Sequence, residues 1–195
     1  MNQRLKYSYM YEIGPMDFVS RDKGKGWRKD LTEYCGQFGV LCLNPYEKPL
    51  NDIHGEHALE DDINAMKVKD LLEHKMYDEA AKRMKFVRGS DLRMCDIAHW
   101  VVAKLDFDTI MTGTLEEIVT CNRAKKPVII WSSVPKNKIP PWYFGMLPHE
   151  LFFETFDEVK EYVRHIHEDD NIDTLNRWVF FDLEQEIKKI GRLKR

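Results

Sequence analysis

The chain has 195 residues, 43 % of them hydrophobic, with 30 basic and 33 acidic side chains and a net charge of −3. That length supports one good core, and mixed charge without a basic face excludes a nucleic-acid polymer as partner. No apolar run reaches the length of a membrane span and the N-terminus lacks a signal peptide's apolar core, so a cytoplasmic protein with no membrane partner is expected.

Leu5 to Ile13 is rich in tyrosine and large apolar residues and breaks at Gly14-Pro15, which predicts a first strand ending in a turn. Residues 16 to 28 read as a polar, glycine-containing loop. Trp27 to Phe38 then places Leu31, Tyr34, Cys35 and Phe38 on one helical face, and Gly39 stops it. Val40 to Leu43 is a short buried strand ended by Asn44-Pro45. Together these form a β-α-β unit with a right-handed crossover and parallel strands.

Residues 46 to 87 interrupt that rhythm with a polar loop and two charged helical patterns, around Ile63 to Leu72 and Tyr77 to Phe86. They bury too little surface to stand alone and read as a helical insertion or lid within a single domain spanning 1–195. Ser90 to Asp96 predicts a short capped helix, and Ile97 to Leu105 an apolar strand. After residues 112 to 131, a proline-rich loop runs to 150, and Leu151 to Phe153 could add a fifth strand. Two closing helices, Phe156 to His167 and Arg177 to Ile190, complete the chain within 154–195. The fold class is α/β: a flavodoxin- or Rossmann-like sandwich of about five mostly parallel strands flanked by helices.

Residues 112 to 131 are the centre of this arrangement: a glycine turn, a helix carrying Glu116 and Glu117, and the strand Val128 to Trp131. Thr114 and Glu117 have the spacing of a capping box, in which hydroxyl and carboxylate serve only the helix start. A functional reading competes with that one, because ligands of open α/β sheets bind outside the carboxyl ends of the strands. That rule brings Tyr11, Asp17, Asp91 and Glu117 to one crevice. Two carboxylates in a partly apolar cleft suit cleavage of a glycosidic bond, one attacking the anomeric carbon and the other holding the sugar or handling a proton.

An ordered set of motifs then carries a resemblance. Y-E-I-G-P-M-D at 11–17, G-W-R at 26–28, N-P at 44–45, S-D-L at 90–92, C-D-I-A-H-W-V-V-A-K-L-D at 95–106, G-T-L-E-E-I at 113–118 and K-P-V at 126–128 resemble the nucleoside 2-deoxyribosyltransferase family and its nucleoside 5′-monophosphate N-glycosidase relatives. The resemblance implies that Glu117 is the nucleophile of a covalent glycosyl-enzyme intermediate. It also implies that Asp91 acts near sugar and base, that Tyr11 orients the nucleophile, and that Gly14 lets backbone approach the ligand. Substrate contacts are expected from Pro15, Asp17, Gly113 and Thr114 as well. Glu116, offset by about 100° on the helix, ranks below Glu117. The chain departs from the family pattern before Gly113, where Ile110, Met111 and Thr112 stand in place of an acidic residue.

The expected partners are a nucleoside or nucleotide substrate, a free nucleobase and further copies of the chain as a homo-oligomer. Ser20, Arg21, Lys23, Lys25 and Arg28, in the loop before the first helix, are candidate phosphate contacts, as are Ser132 and Ser133 after the fourth strand. Neither His54/His57 nor His165/His167 has a third ligand at a familiar spacing, so no metal and no cofactor is assigned. Cys35, Cys42, Cys95 and Cys121 lack dithiol spacing and are expected to be reduced. Three functions follow: base transfer between nucleosides, hydrolysis of a nucleoside 5′-monophosphate with water as acceptor, or nucleotide binding without chemistry.

Overall fold

Apolar runs without alternation belong to strands covered on both faces, and the chain's runs meet in one sheet. In the computed structural model, which describes residues 3–16, 21–46, 68, 70–169 and 171–181, five strands pair wholly in parallel. They are β1 (Tyr9–Ile13), β2 (Leu41–Leu43), β3 (Trp100–Leu105), β4 (Val128–Ser132) and β5 (Phe152–Phe153), in the order β2-β1-β3-β4-β5. Chain direction across the sheet reverses between β1 and β3, where Tyr11 lies in register with Val101. That is the switch point at which such sheets open a crevice.

The helices that flank the sheet include α1 (Arg21–Gly36), α2 (Tyr77–Ile97), α3 (Thr112–Arg123), the short α4 (Trp142–Met146) and α5 (Phe156–Glu168). Alternate strand residues feed two cores. Tyr11, Ile13, Val101, Ala103, Val128 and Ile130 pack with Met94 and Cys95 of α2 and Ile118 and Cys121 of α3. Met10, Trp100, Val102 and Ile129 pack with Leu31 and Cys35 of α1 and Val159 and Val163 of α5. No described helix is long and apolar enough to cross a membrane.

Three elements differ from expectation. Helix α1 begins at Arg21, so much of the expected loop, Arg28 included, is helical. Gly24 and Gly26 are poor helix formers, but tertiary contact overrides propensity here. The Tyr46 hydroxyl sits where a Cβ on Gly24 would be, 2.4 Å from it, and Arg28 Nη1 donates to the Gly24 carbonyl at 2.6 Å.

The expected helices around Tyr77 to Phe86 and Ser90 to Asp96 are one helix, α2, continuous through Gly89. The Ser90 hydroxyl donates back to the Phe86 carbonyl at 3.1 Å, the local bond that lets a serine stay in a helix interior. Because α2 continues to Ile97, β3 starts at Trp100 rather than Ile97. Lys126 holds that end: its ammonium donates to the carbonyls of Cys95, Asp96 and Ala98, each at 2.6 Å.

The third difference concerns Gly113 and Thr114, which lie inside the first turn of α3, with Met111 at the cap position and no side-chain cap bond. The capping box read at Thr114 and Glu117 is therefore not formed; Thr155 and Glu158 form one at the start of α5.

The patterns at Ile63 to Leu72 and Arg177 to Ile190 fall largely outside the described residues. Within the described part, Trp178 is buried, lies 5.4 Å from the Trp100 ring and donates to the Tyr162 hydroxyl at 3.0 Å.

Candidate active site

Helix α3 buries Thr114, Glu117, Ile118 and Cys121, the i, i+3, i+4, i+7 stripe of a helix laid on a sheet. Glu117 therefore faces inward with the apolar residues. Glu116, one position on, faces α2 and pairs with Arg88, whose Nε lies 2.7 Å from Oε2. One residue of offset separates a surface ion pair from a buried carboxylate.

Across from Glu117 stands Tyr11, the central residue of β1. Its hydroxyl donates to Glu117 Oε1 at 2.6 Å, and the two residues are 1 % and 7 % exposed. Burial pushes the Glu117 carboxyl up to about 8, and the charge of Asp91 pushes in the same direction. The Tyr11 hydrogen bond and the Arg28 charge pull it down, while Glu116 adds a small rise. Burial also holds the Tyr11 phenol well above its ordinary value, with Glu117 and Asp91 reinforcing it.

Asp91 lies in the C-terminal half of α2 rather than at a helix start, and its charge acts on both Tyr11 and Glu117. Behind this trio, Cys95 follows Asp91 by one helical turn and Cys121 follows Glu117 by one turn. Contact with Cys121, together with burial, drives the Cys95 thiol far above its usual range. All four cysteines are reduced; the second contact is Cys35 with Cys42. High thiol values of this kind belong to inert cysteines.

The remaining expected site residues divide by location. Gly14 and Pro15 are buried at the end of β1. A Cβ on Gly14 would meet the Trp27 ring at 3.0 Å and Arg28 Nη2 at 3.2 Å, so internal packing alone accounts for the glycine. Arg28 is fully buried, with its guanidinium on main-chain carbonyls. Gly113 is exposed, while Thr114 is buried beside Glu117 on the same stripe. Ser132 closes a turn on itself, donating to the Val134 carbonyl at 2.8 Å and accepting from its N–H at 3.2 Å. Asp17 and Ser20 lie outside the described residues, as does the side chain of Arg21.

Glu12 was not anticipated. It is fully buried on the opposite face of β1 and accepts from the Thr32 hydroxyl at 2.8 Å. A charged residue inside an otherwise apolar strand was its only signal. An open groove of about 630 Å³ runs along β5, and another of about 650 Å³ lies along residues 144–150. Neither is lined by Tyr11, Asp91 or Glu117.

Tyr11, Asp91 and Glu117 thus converge at the switch point from β1, α2 and α3. The arrangement supplies a desolvated carboxylate oriented by a phenol, with a second carboxylate within electrostatic reach.

No family model matches the sequence, and no curated protein sequence matches it. In structure the chain is similar to a 2-deoxyribosyltransferase from the psychrotolerant bacterium Bacillus psychrosaccharolyticus, with a TM-score of 0.52 and 17 % identity over 86 % of this chain and 94 % of that one. At that identity the likeness establishes a shared α/β fold.

Proposed function

We propose that this chain is an enzyme of the nucleoside 2-deoxyribosyltransferase type, acting on the N-glycosidic bond of (deoxy)nucleosides or their 5′-monophosphates. The observation that carries the reading is the buried 2.6 Å hydrogen bond from Tyr11 to Glu117 at the switch point of the sheet. Ionised Glu117 attacks the anomeric carbon; a carbon–oxygen bond forms as the carbon–nitrogen bond breaks, and the base departs with the bonding pair and takes up a proton. A second base, or water, then attacks the same carbon and releases the carboxylate, so configuration is retained. Tyr11 fixes the attacking oxygen. Asp91 accepts a hydrogen bond from the sugar or base. The double displacement uses side chains alone and calls for no cofactor. The fold shared with a 2-deoxyribosyltransferase is consistent with this chemistry.

The test is base release from ribo- and deoxynucleosides and their 5′-monophosphates, with and without a free second base. The wild type should release base, and Glu117→Gln should lose activity by about 10³-fold or more while keeping its fold. Release from a monophosphate without an acceptor would make the chain a nucleotide N-glycosidase; exchange requiring a free base would make it a transferase. A wild type that binds these ligands but cleaves none overturns the catalytic reading and leaves a nucleotide-binding regulator.

A further inference from the structure

Arg28 is fully buried and has no carboxylate within ion-pair distance among the described residues. Its guanidinium stacks over Trp27 at 4.5 Å and over Tyr46 at 5.3 Å. Its donors go to carbonyls: Nη1 to Gly24 at 2.6 Å, Nη2 to Gly14 at 3.0 Å and, at a longer 3.4 Å, Nε to Glu12. A desolvated cation held this way is unfavourable unless nearby negative charge offsets it. The acidic groups that act on it are Glu12 and Glu117, together with the Tyr11 and Tyr46 phenols. Two of the three carbonyls, those of Glu12 and Gly14, belong to the carboxyl end of β1, directly after Tyr11.

We propose that Arg28 is a positioning residue of the Tyr11–Glu117 site: it pins the end of β1 through the Gly14 carbonyl and supplies internal positive charge to the nucleophile. A phosphate ligand would need a guanidinium face open to substrate, whereas this one is enclosed by two aromatic rings and by main chain. Its effect on Glu117 is a balance. Burial, Asp91 on α2 and Glu116 on α3 oppose ionisation, whereas Tyr11 on β1 and Arg28 on α1 favour it. Arg28 is a cation whose charge favours ionised Glu117. Without it, the carboxylate would sit among two other acids and a phenol.

The role in catalysis rests on the proposed glycosyl transfer, but the charge relation can be read without turnover. In ¹³C-glutamate-labelled protein, the Glu117 carboxyl, assigned by its loss in Glu117→Gln, should titrate about one pH unit higher in Arg28→Met than in wild type. Arg28→Lys should recover part of that shift. In turnover, the acid limb of kcat/KM should move up by the same amount, lowering activity near neutral pH about tenfold. KM should change equally for a nucleoside and its 5′-monophosphate. Should the variants not fold, the Arg28 Nε–H resonance of wild type should follow the Glu117 titration and cease to do so in Glu117→Gln. An unmoved Glu117 titration, an Arg28 resonance blind to it, or a KM rise confined to monophosphates would each overturn the proposal. A wild type that cleaves nothing while these titrations shift as stated would sink the enzymatic reading and leave the charge relation standing.

Discussion

At the scale of the residue, Glu117 sets stability against function. A glutamate ordinarily ionises near 4.5, whereas folded Glu117 keeps its proton to about 8. Between those values the folded state binds more protons than the unfolded one. Stability is therefore fully present below about pH 4.5, falls as pH rises, and levels off above about pH 8. A shift of this size corresponds to on the order of 5 kcal/mol, the net of burial and Asp91 against Tyr11 and Arg28. Glu117→Gln removes the titration but keeps the shape. In urea unfolding, the variant should gain on wild type progressively from about pH 5 to about pH 8, then hold a constant lead. Parallel curves would mean that Glu117 ionises normally and that its burial is relieved in solution. If Glu117 is the nucleophile, kcat/KM should climb towards an apparent value near 8, whereas a glutamate acting as acid would lose activity above it.

At the scale of the element, the placement of Asp91 depends on where α2 stops, and one lysine fixes that. Lys126 lies between α3 and β4 and binds three carbonyls at the end of α2 and just beyond it, groups that no helical N–H satisfies. Lys126→Met should cost on the order of 2 kcal/mol and speed amide exchange at residues 94–98, readable by urea unfolding with hydrogen exchange; protection equal to wild type would show that the ammonium is dispensable. The K-P-V motif was legible in the sequence, but this use of its lysine was not, because the bonds span about thirty residues. The same distinction runs through the fold. Apolar runs at Val101–Ala103 and Val128–Ile130 announced their strands locally. By contrast, the helical state of Arg21 to Gly26 depends on Tyr46 lying over Gly24, which no local pattern encodes. Thr114 and Glu117 had the right spacing for a cap, yet the cap position of α3 is Met111, three residues earlier, freeing Glu117 for a partner 106 positions away. Tyr11 and Glu117 could be put at one sheet edge by the strand-end rule and by the family resemblance; the hydrogen bond between them is a product of the tertiary fold.

At the scale of the whole molecule, the sheet lies between the Tyr11–Glu117 pair and a cluster of aromatic rings. Neighbouring residues on β1, Met10 and Tyr11, belong to different cores, and the Tyr11 side carries Asp91 and Glu117. The other face is rich in aromatic rings: Trp178 lies 5.4 Å from Trp100, stacks on Phe181 at 5.5 Å and hydrogen-bonds Tyr162 at 3.0 Å. Through these contacts the described segment 171–181 closes over the Met10 side of the sheet. Trp178→Ala would remove a buried indole and leave the Tyr162 hydroxyl without its donor, a loss of about 3–5 kcal/mol. Because the sheet lies between that cavity and Glu117, the two effects should be independent. The variant should unfold at lower urea while base release per folded molecule, and the pH dependence of kcat/KM, stay as in wild type. A shifted pH profile in Trp178→Ala would show that packing on the far face reaches the carboxylate, and that the sheet transmits strain between its two cores.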